Sequence, residues 1–129
     1  MNVNALTPTL LLVGRILMAI IFIVAGLGKM GGIEATQGYM SMMGVPAVLI
    51  YPTIALEVLG GLALLIGYQT RIAAFLLAGF TVLSGLLFHF DLSNQMEMNN
   101  LMKNLAIAGG FLFLVAHGPG KLSLDGRSN

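Results

Sequence analysis

The chain contains no cysteine and no tryptophan, and only 9% of its 129 residues are charged. Without cysteine there are no disulfides, thiolate metal sites, iron–sulfur ligands or thiol relay. Two histidines are the whole supply of imidazole. His89 and His117 fall at opposite ends of apolar runs, too far apart for bis-histidine haem ligation, so no haem, iron–sulfur cluster or metal is expected. The shortage of charge is the strongest exclusion. A soluble domain carries about 25% charged residues, and this chain lacks the polar side chains to cover itself in water. A formal net charge of +1 also excludes nucleic acid as a partner, because phosphate binding needs a clustered basic face.

What is present is apolar. Hydrophobic residues make up 57% of the chain, and the mean hydropathy is +0.93. Four long runs stand out, at about 8–28, 46–68, 71–89 and 99–117. Each is close to the ~20 residues that a helix needs to cross ~30 Å of hydrocarbon. The expected fold is all-α: an antiparallel, integral membrane four-helix bundle in one domain over 1–129. Thr7 and Pro8 suit the cap and first position of the first helix. The segment before Leu10 has no Lys or Arg, and no small-x-small site follows, so this run is expected to remain a span. Pro46 starts the second run, Pro52 is placed to bend it, and Gly118-Pro119-Gly120 ends the fourth. The link Gly67–Arg71 is tight and makes the second and third helices antiparallel neighbours. The longer link from Lys29 to Gly44 has room for a short interfacial helix over Glu34–Met43, carrying Tyr39 and three methionines.

Four spans put both termini on one side. Arg71, Lys121 and Arg127 share that side; Lys29 and Lys103 lie on the other. The positive-inside rule therefore expects both termini in the cytoplasm. Gly60-Gly61, Ala74-x3-Ala78 and Ala106-x3-Gly110 offer close helix approach, either as the bundle seam or as a homodimer contact.

Ionisable groups at membrane depth are expensive and so are functional candidates. Glu57 lies mid-run, where snorkelling does not rescue it. Arg15 is its expected partner, and two readings stand: a structural Arg15–Glu57 pair, or a pair lining a ligand pocket in which Glu57 accepts a proton. At ~100° per residue, Arg15, Phe22, Gly26 and Lys29 share a face of the first helix that should look inward. Phe22 over Gly26 is read either as a ring beside a gap, suited to a planar ligand, or as ordinary packing on glycine. Lys29, His89 and Lys103, with Asn104 beside the last, fall at one depth and are expected to converge at one mouth of the bundle. The alternatives are interfacial anchoring for each lysine and helix capping for His89.

Several stretches, in this order, resemble the DoxX family of small bacterial inner-membrane proteins, and its short proteobacterial members in particular. They are Gly14-Arg15 with Phe22-x3-Gly26-x2-Lys29; Met43-Gly44-Val45-Pro46; Glu57-x2-Gly60-Gly61 with Gly67-x2-Thr70-Arg71; and Leu87-Phe88-His89 with Met102-Lys103-Asn104-Leu105 and Gly109-Gly110. The resemblance implies a multi-pass protein of the bacterial inner membrane, with family polar positions at Arg15, Lys29, Glu57, His89, Lys103 and Asn104. It also implies a quinone- or quinol-binding subunit, accessory to an oxidoreductase or to quinone and oxidative-stress tolerance. In that reading Glu57 and His89 transfer protons, while Arg15, Phe22, Lys29, Glu57, Lys103 and Asn104 bind the ligand. Electrons come from a soluble redox partner or a bound organic cofactor. Two other functions fit the residues: a transporter for small aromatic compounds, and a structural anchor for a partner complex.

Overall fold

The structure is a computed structural model that describes residues 3–127. Six helices follow in order: α1 (Val3–Met30), α2 (Ile33–Met42), α3 (Ile50–Ile66), α4 (Thr70–Phe88), α5 (Gln95–His117) and the short α6 (Leu124–Arg127), with one 3-10 turn at Ala47–Leu49 before α3. Four stretches are long and apolar enough to span a membrane: Asn4–Met30, Ala47–Ile66, Thr70–Phe88 and Gln95–His117. Their outward faces carry large apolar side chains such as Leu17, Val24, Phe75 and Phe113, all exposed on the isolated chain. In lipid such side chains need no protein partner, and the interior mixes Leu64, Leu77 and Phe111 with small residues such as Ala19 and Ala74 and with the polar Arg15 and Glu57.

Helix ends differ from the sequence expectation at three places. α1 begins at Val3, so Thr7 and Pro8 lie inside it. Pro8 lies beyond the first turn, so it forfeits one amide-to-carbonyl bond, the one that would run to Asn4. α5 begins four residues earlier than the apolar run, because Asn94 caps it. The Asn94 side chain accepts from the amides of Met96 at 3.0 Å and Glu97 at 3.2 Å. Pro52 falls in the first turn of α3, a position where proline is tolerated. α3 stops at Gly67, whose φ of +74° is the left-handed conformation that closes many helices.

The packing order around the bundle is α1–α3–α4–α5, closed by Met18 and Phe22 of α1 against Gly110 and Phe111 of α5. The Phe22 and Phe111 rings lie 5.4 Å apart, tilted at 50°. Glycine sets the closest crossings. A Cβ on Gly26 would lie 2.6 Å from a Val58 methyl, and one on Gly61 would lie 2.7 Å from Ile23 and 3.3 Å from the Ala19 carbonyl. Gly60 faces Leu77 across the α3–α4 seam, and Gly85 faces Asn104 across α4–α5. The small residues therefore set helix spacing within one chain. Val58 of α3 fills the space over Gly26, while Phe22 borders a cavity elsewhere.

At the end of the bundle that carries the termini, the chain after α5 folds back over the α3–α4 turn. The Asp125 amide donates to the Gly67 carbonyl at 2.8 Å, and the Asp125 carboxylate accepts from the amides of Gln69 at 2.9 Å and Thr70 at 2.8 Å. It thus caps α4 in place of Gln69, which sits at φ +46° with no side-chain cap bond. Burial alone would raise the Asp125 carboxyl. The Thr70 and Gln69 bonds and the Arg15 charge outweigh it and hold the group below its ordinary 3.8.

Two predictions follow from these contacts. Gly61→Ala should destabilise the protein by about 1–3 kcal/mol through overpacking, while Gly79→Ala, with open space beside it, should not. Thermal unfolding of both variants in detergent checks this. A carboxylate with a depressed folded value stabilises above its unfolded value and loses that contribution as pH falls through the folded one. Asp125→Asn should therefore lower stability at pH 7 by about 1 kcal/mol. The difference from the parent should narrow as pH falls below 3.8 and through the lower folded value. Melting curves of the two proteins across that range are the measurement.

Candidate functional site

The polar residues of the interior divide between the two ends of the bundle. At the termini end lies Arg15, 1% exposed. Its Nη1 donates to the carbonyls of Leu64 at 2.8 Å and Leu65 at 3.3 Å, and its Nη2 donates to the Leu122 carbonyl. Leu64 and Leu65 belong to the last turn of α3, whose carbonyls have no helical partners and carry the negative end of the helix dipole. The expected Arg15–Glu57 pair is thus corrected: Arg15 is occupied by backbone carbonyls and by the folded-back tail.

Glu57 pairs instead with Lys29, Nζ to Oε1 at 2.8 Å, with the carboxylate side chain 5% and the lysine side chain 27% exposed. The approach is too oblique to leave Oε1 with an aligned hydrogen bond, so the contact is chiefly one of charge. The pair follows from the α1–α3 crossing. Gly26 lets Glu57 come against α1, with 3.2 Å between its Cβ and a Cβ built on Gly26. Lys29 lies one turn further along the same face of α1.

This pair opens on a cavity of about 580 Å³ in the half of the bundle away from the termini. Its walls are mostly apolar. Phe22 comes from α1, Leu56 from α3, and Phe80 and Phe88 from α4, while Thr36, Tyr39 and Met40 of α2 cover it. Tyr39 stacks on Phe88 with ring centres 5.5 Å apart and planes at 23°. Met40 is buried with Val45 and Ile50, which ties α2 to the start of α3.

On the α4–α5 side, His89 and Asn104 also reach the cavity. His89 caps the C-terminus of α4, and its Nδ1 lies 2.7 Å from Glu97 Oε2 in the first turn of α5. Asn104 donates from Nδ2 to the Thr81 carbonyl at 3.0 Å and to Ser84 Oγ at 3.4 Å. Of the residues named from sequence, Phe22, Lys29, Glu57, His89 and Asn104 therefore meet at one cavity. Arg15 and Lys103 do not: Arg15 lies at the other end, and Lys103 is exposed on α5, outside the lining.

Glu97, Thr81 and Ser84 were not anticipated. The spacing Asn94-x2-Glu97 is a capping-box pattern that would have started α5 earlier and brought Glu97 beside His89. Among the described residues no three His, Asp or Glu side chains converge as a metal site requires.

An intramembrane ion pair next to an empty apolar volume can hold a polar head in place and exchange a proton with it. Removing Lys29 strands a nearly buried carboxylate, whereas removing Glu57 strands a lysine that still reaches solvent. Lys29→Met should therefore destabilise more than Glu57→Gln, by at least about 1 kcal/mol, and the double variant less than the sum of the two singles. A double-mutant cycle of unfolding free energies tests both statements.

The DoxX family model matches residues 10–90. The inner membrane protein YqjF of Escherichia coli (strain K12) is 50% identical over 114 residues, covering 88% of each chain. The inner membrane protein YphA of the same organism is 37% identical over 131 residues, covering 96% of this chain and 94% of its own. The Bacillus subtilis (strain 168) protein named "Putative oxidoreductase CatD" is 38% identical over 78 residues, covering 60% of this chain and 57% of its own. No solved structure matches. Four membrane-length helices, a matched family model over more than half the chain and two full-length relatives named as inner membrane proteins agree, and this chain belongs to the DoxX family.

Proposed function

We propose that this protein binds a quinone or quinol in the α1–α5 cavity and handles its protons as the membrane partner of an oxidoreductase or of a quinone-tolerance system. The observation that carries this reading is the Lys29–Glu57 pair facing an aromatic-lined cavity of about 580 Å³, a volume in the range of small-ligand sites. A quinone ring needs flat apolar walls, which Phe22, Phe80 and the Tyr39–Phe88 stack supply. Its oxygens need a donor and a proton source. Lys29 donates to a ring oxygen, Glu57 takes or gives the proton, and His89 with Glu97 passes protons between the cavity and the aqueous edge. Reduction of a quinone to its quinol takes up two electrons and two protons. The electrons come from a soluble redox partner or a bound organic cofactor. The relative named "Putative oxidoreductase CatD" supports a redox setting for the site.

On the same reading both termini face the cytoplasm and the cavity opens in the outer leaflet. What supports this orientation is the count of basic residues, Arg71, Lys121 and Arg127 on the side of the termini against Lys29 and Lys103 on the other.

The test is mass spectrometry of small molecules extracted from detergent-purified protein, parent beside Glu57→Gln. A stoichiometric quinone or quinol in the parent, depleted at least tenfold in the folded variant, is the expected result. No such molecule in either protein, with equal folding, overturns the proposal.

A further inference from the structure

One polar group facing this cavity has no partner. Thr81 is 3% exposed, lines the cavity, and its hydroxyl oxygen is buried without a hydrogen bond. A helical threonine usually turns its hydroxyl back onto the carbonyl one turn earlier, and leaving a buried hydroxyl unsatisfied is destabilising. Beside it, Asn104 uses only its amide nitrogen, on the Thr81 carbonyl and Ser84 Oγ. Its Oδ1 makes no hydrogen bond among the described residues. Thr81 and Asn104 thus present one free donor and one free acceptor side by side, held by Gly85. A Cβ on that glycine would lie 3.0 Å from Asn104 Nδ2, so its absence lets α4 and α5 approach closely.

A donor next to an acceptor is the complement of a hydroxyl group, which both accepts and donates. A carbonyl oxygen, which only accepts, satisfies half of it. The notch is built by α4 and α5 and the ion pair by α1 and α3, so the cavity carries two polar groups supplied by different helix pairs.

From this we infer that Thr81 and Asn104 form a hydroxyl subsite, so that the cavity selects a ring that carries a second oxygen, a hydroquinone over a simple phenol. The inference rests on the quinone–quinol reading above and adds its specificity: one ring oxygen at Lys29–Glu57, and the other accepting from the Thr81 hydroxyl while donating to Asn104 Oδ1.

The experiment measures anaerobic binding of an alkylated 1,4-hydroquinone and of the matching alkylphenol to nanodisc-embedded protein, by equilibrium dialysis. Parent, Thr81→Val and Thr81→Ser are compared. Valine keeps the shape and removes the unpartnered hydroxyl, so Thr81→Val should unfold no earlier than the parent without ligand. It should bind the hydroquinone about tenfold more weakly and the phenol unchanged, and Thr81→Ser should restore hydroquinone binding. Equal affinities in parent and Thr81→Val, as for a hydroxyl satisfied by water alone, overturn the subsite and leave the quinone reading standing. So does an equal loss for both probes. If the folded parent binds neither probe, both fail together.

Discussion

Where Gly26 meets Val58 and Gly61 meets Ala19 and Ile23, the backbones of α1 and α3 run closer than side chains of ordinary size would permit. That approach governs the polar chemistry of the whole bundle. It brings Glu57 under Lys29 at one end, and it brings the last carbonyls of α3 within reach of Arg15 at the other. Two ionisable groups on one face of α1 are thereby satisfied by two stretches of the same neighbouring helix. In hydrocarbon no water is available to make up for a slipped register, so a shift of one turn along α3 would strand both.

The two ends use their charges differently. Arg15 is enclosed by carbonyls and the folded-back tail, which stabilises and fixes geometry but leaves no room for a ligand. Lys29 and Glu57 face unfilled space beneath α2, as do His89 and Asn104. The end away from the termini is the one with a volume, a cover and groups able to exchange protons. The division explains why a search for one polar centre at mid-bilayer is misleading: the interior has two, and only one is accessible.

Much of this was legible in the residues because lipid imposes simple rules. Four runs of near-span length set the architecture, and the spacing of Arg15, Phe22, Gly26 and Lys29 identified the inward face of α1. The short helix after α1 followed from a connection too long to be a plain turn. The partner of Arg15 was not legible. Sequence displays side-chain charges, so Glu57 was the visible counter-ion, while the carbonyls of Leu64 and Leu122 that hold Arg15 belong to the backbone and leave no mark on residue type. Depth was the second difficulty, since Lys29 ends a helix and reads as an anchor until the α1–α3 crossing sets it over Glu57. Thr81 was invisible for a related reason. A threonine in a helix normally satisfies itself, and only coordinates reveal one that does not.

The Leu122 carbonyl that holds Arg15 comes 107 residues after it in the chain, which gives the biosynthesis of this protein a fixed order of events. Arg15 is synthesised well before Leu122. At ~5–20 residues per second, several seconds pass before its last ligand exists. Through that interval the carbonyls of Leu64 and Leu65 are the partners that α3 can already offer the guanidinium. The segment after α5 completes the set and so acts as a latch on α1.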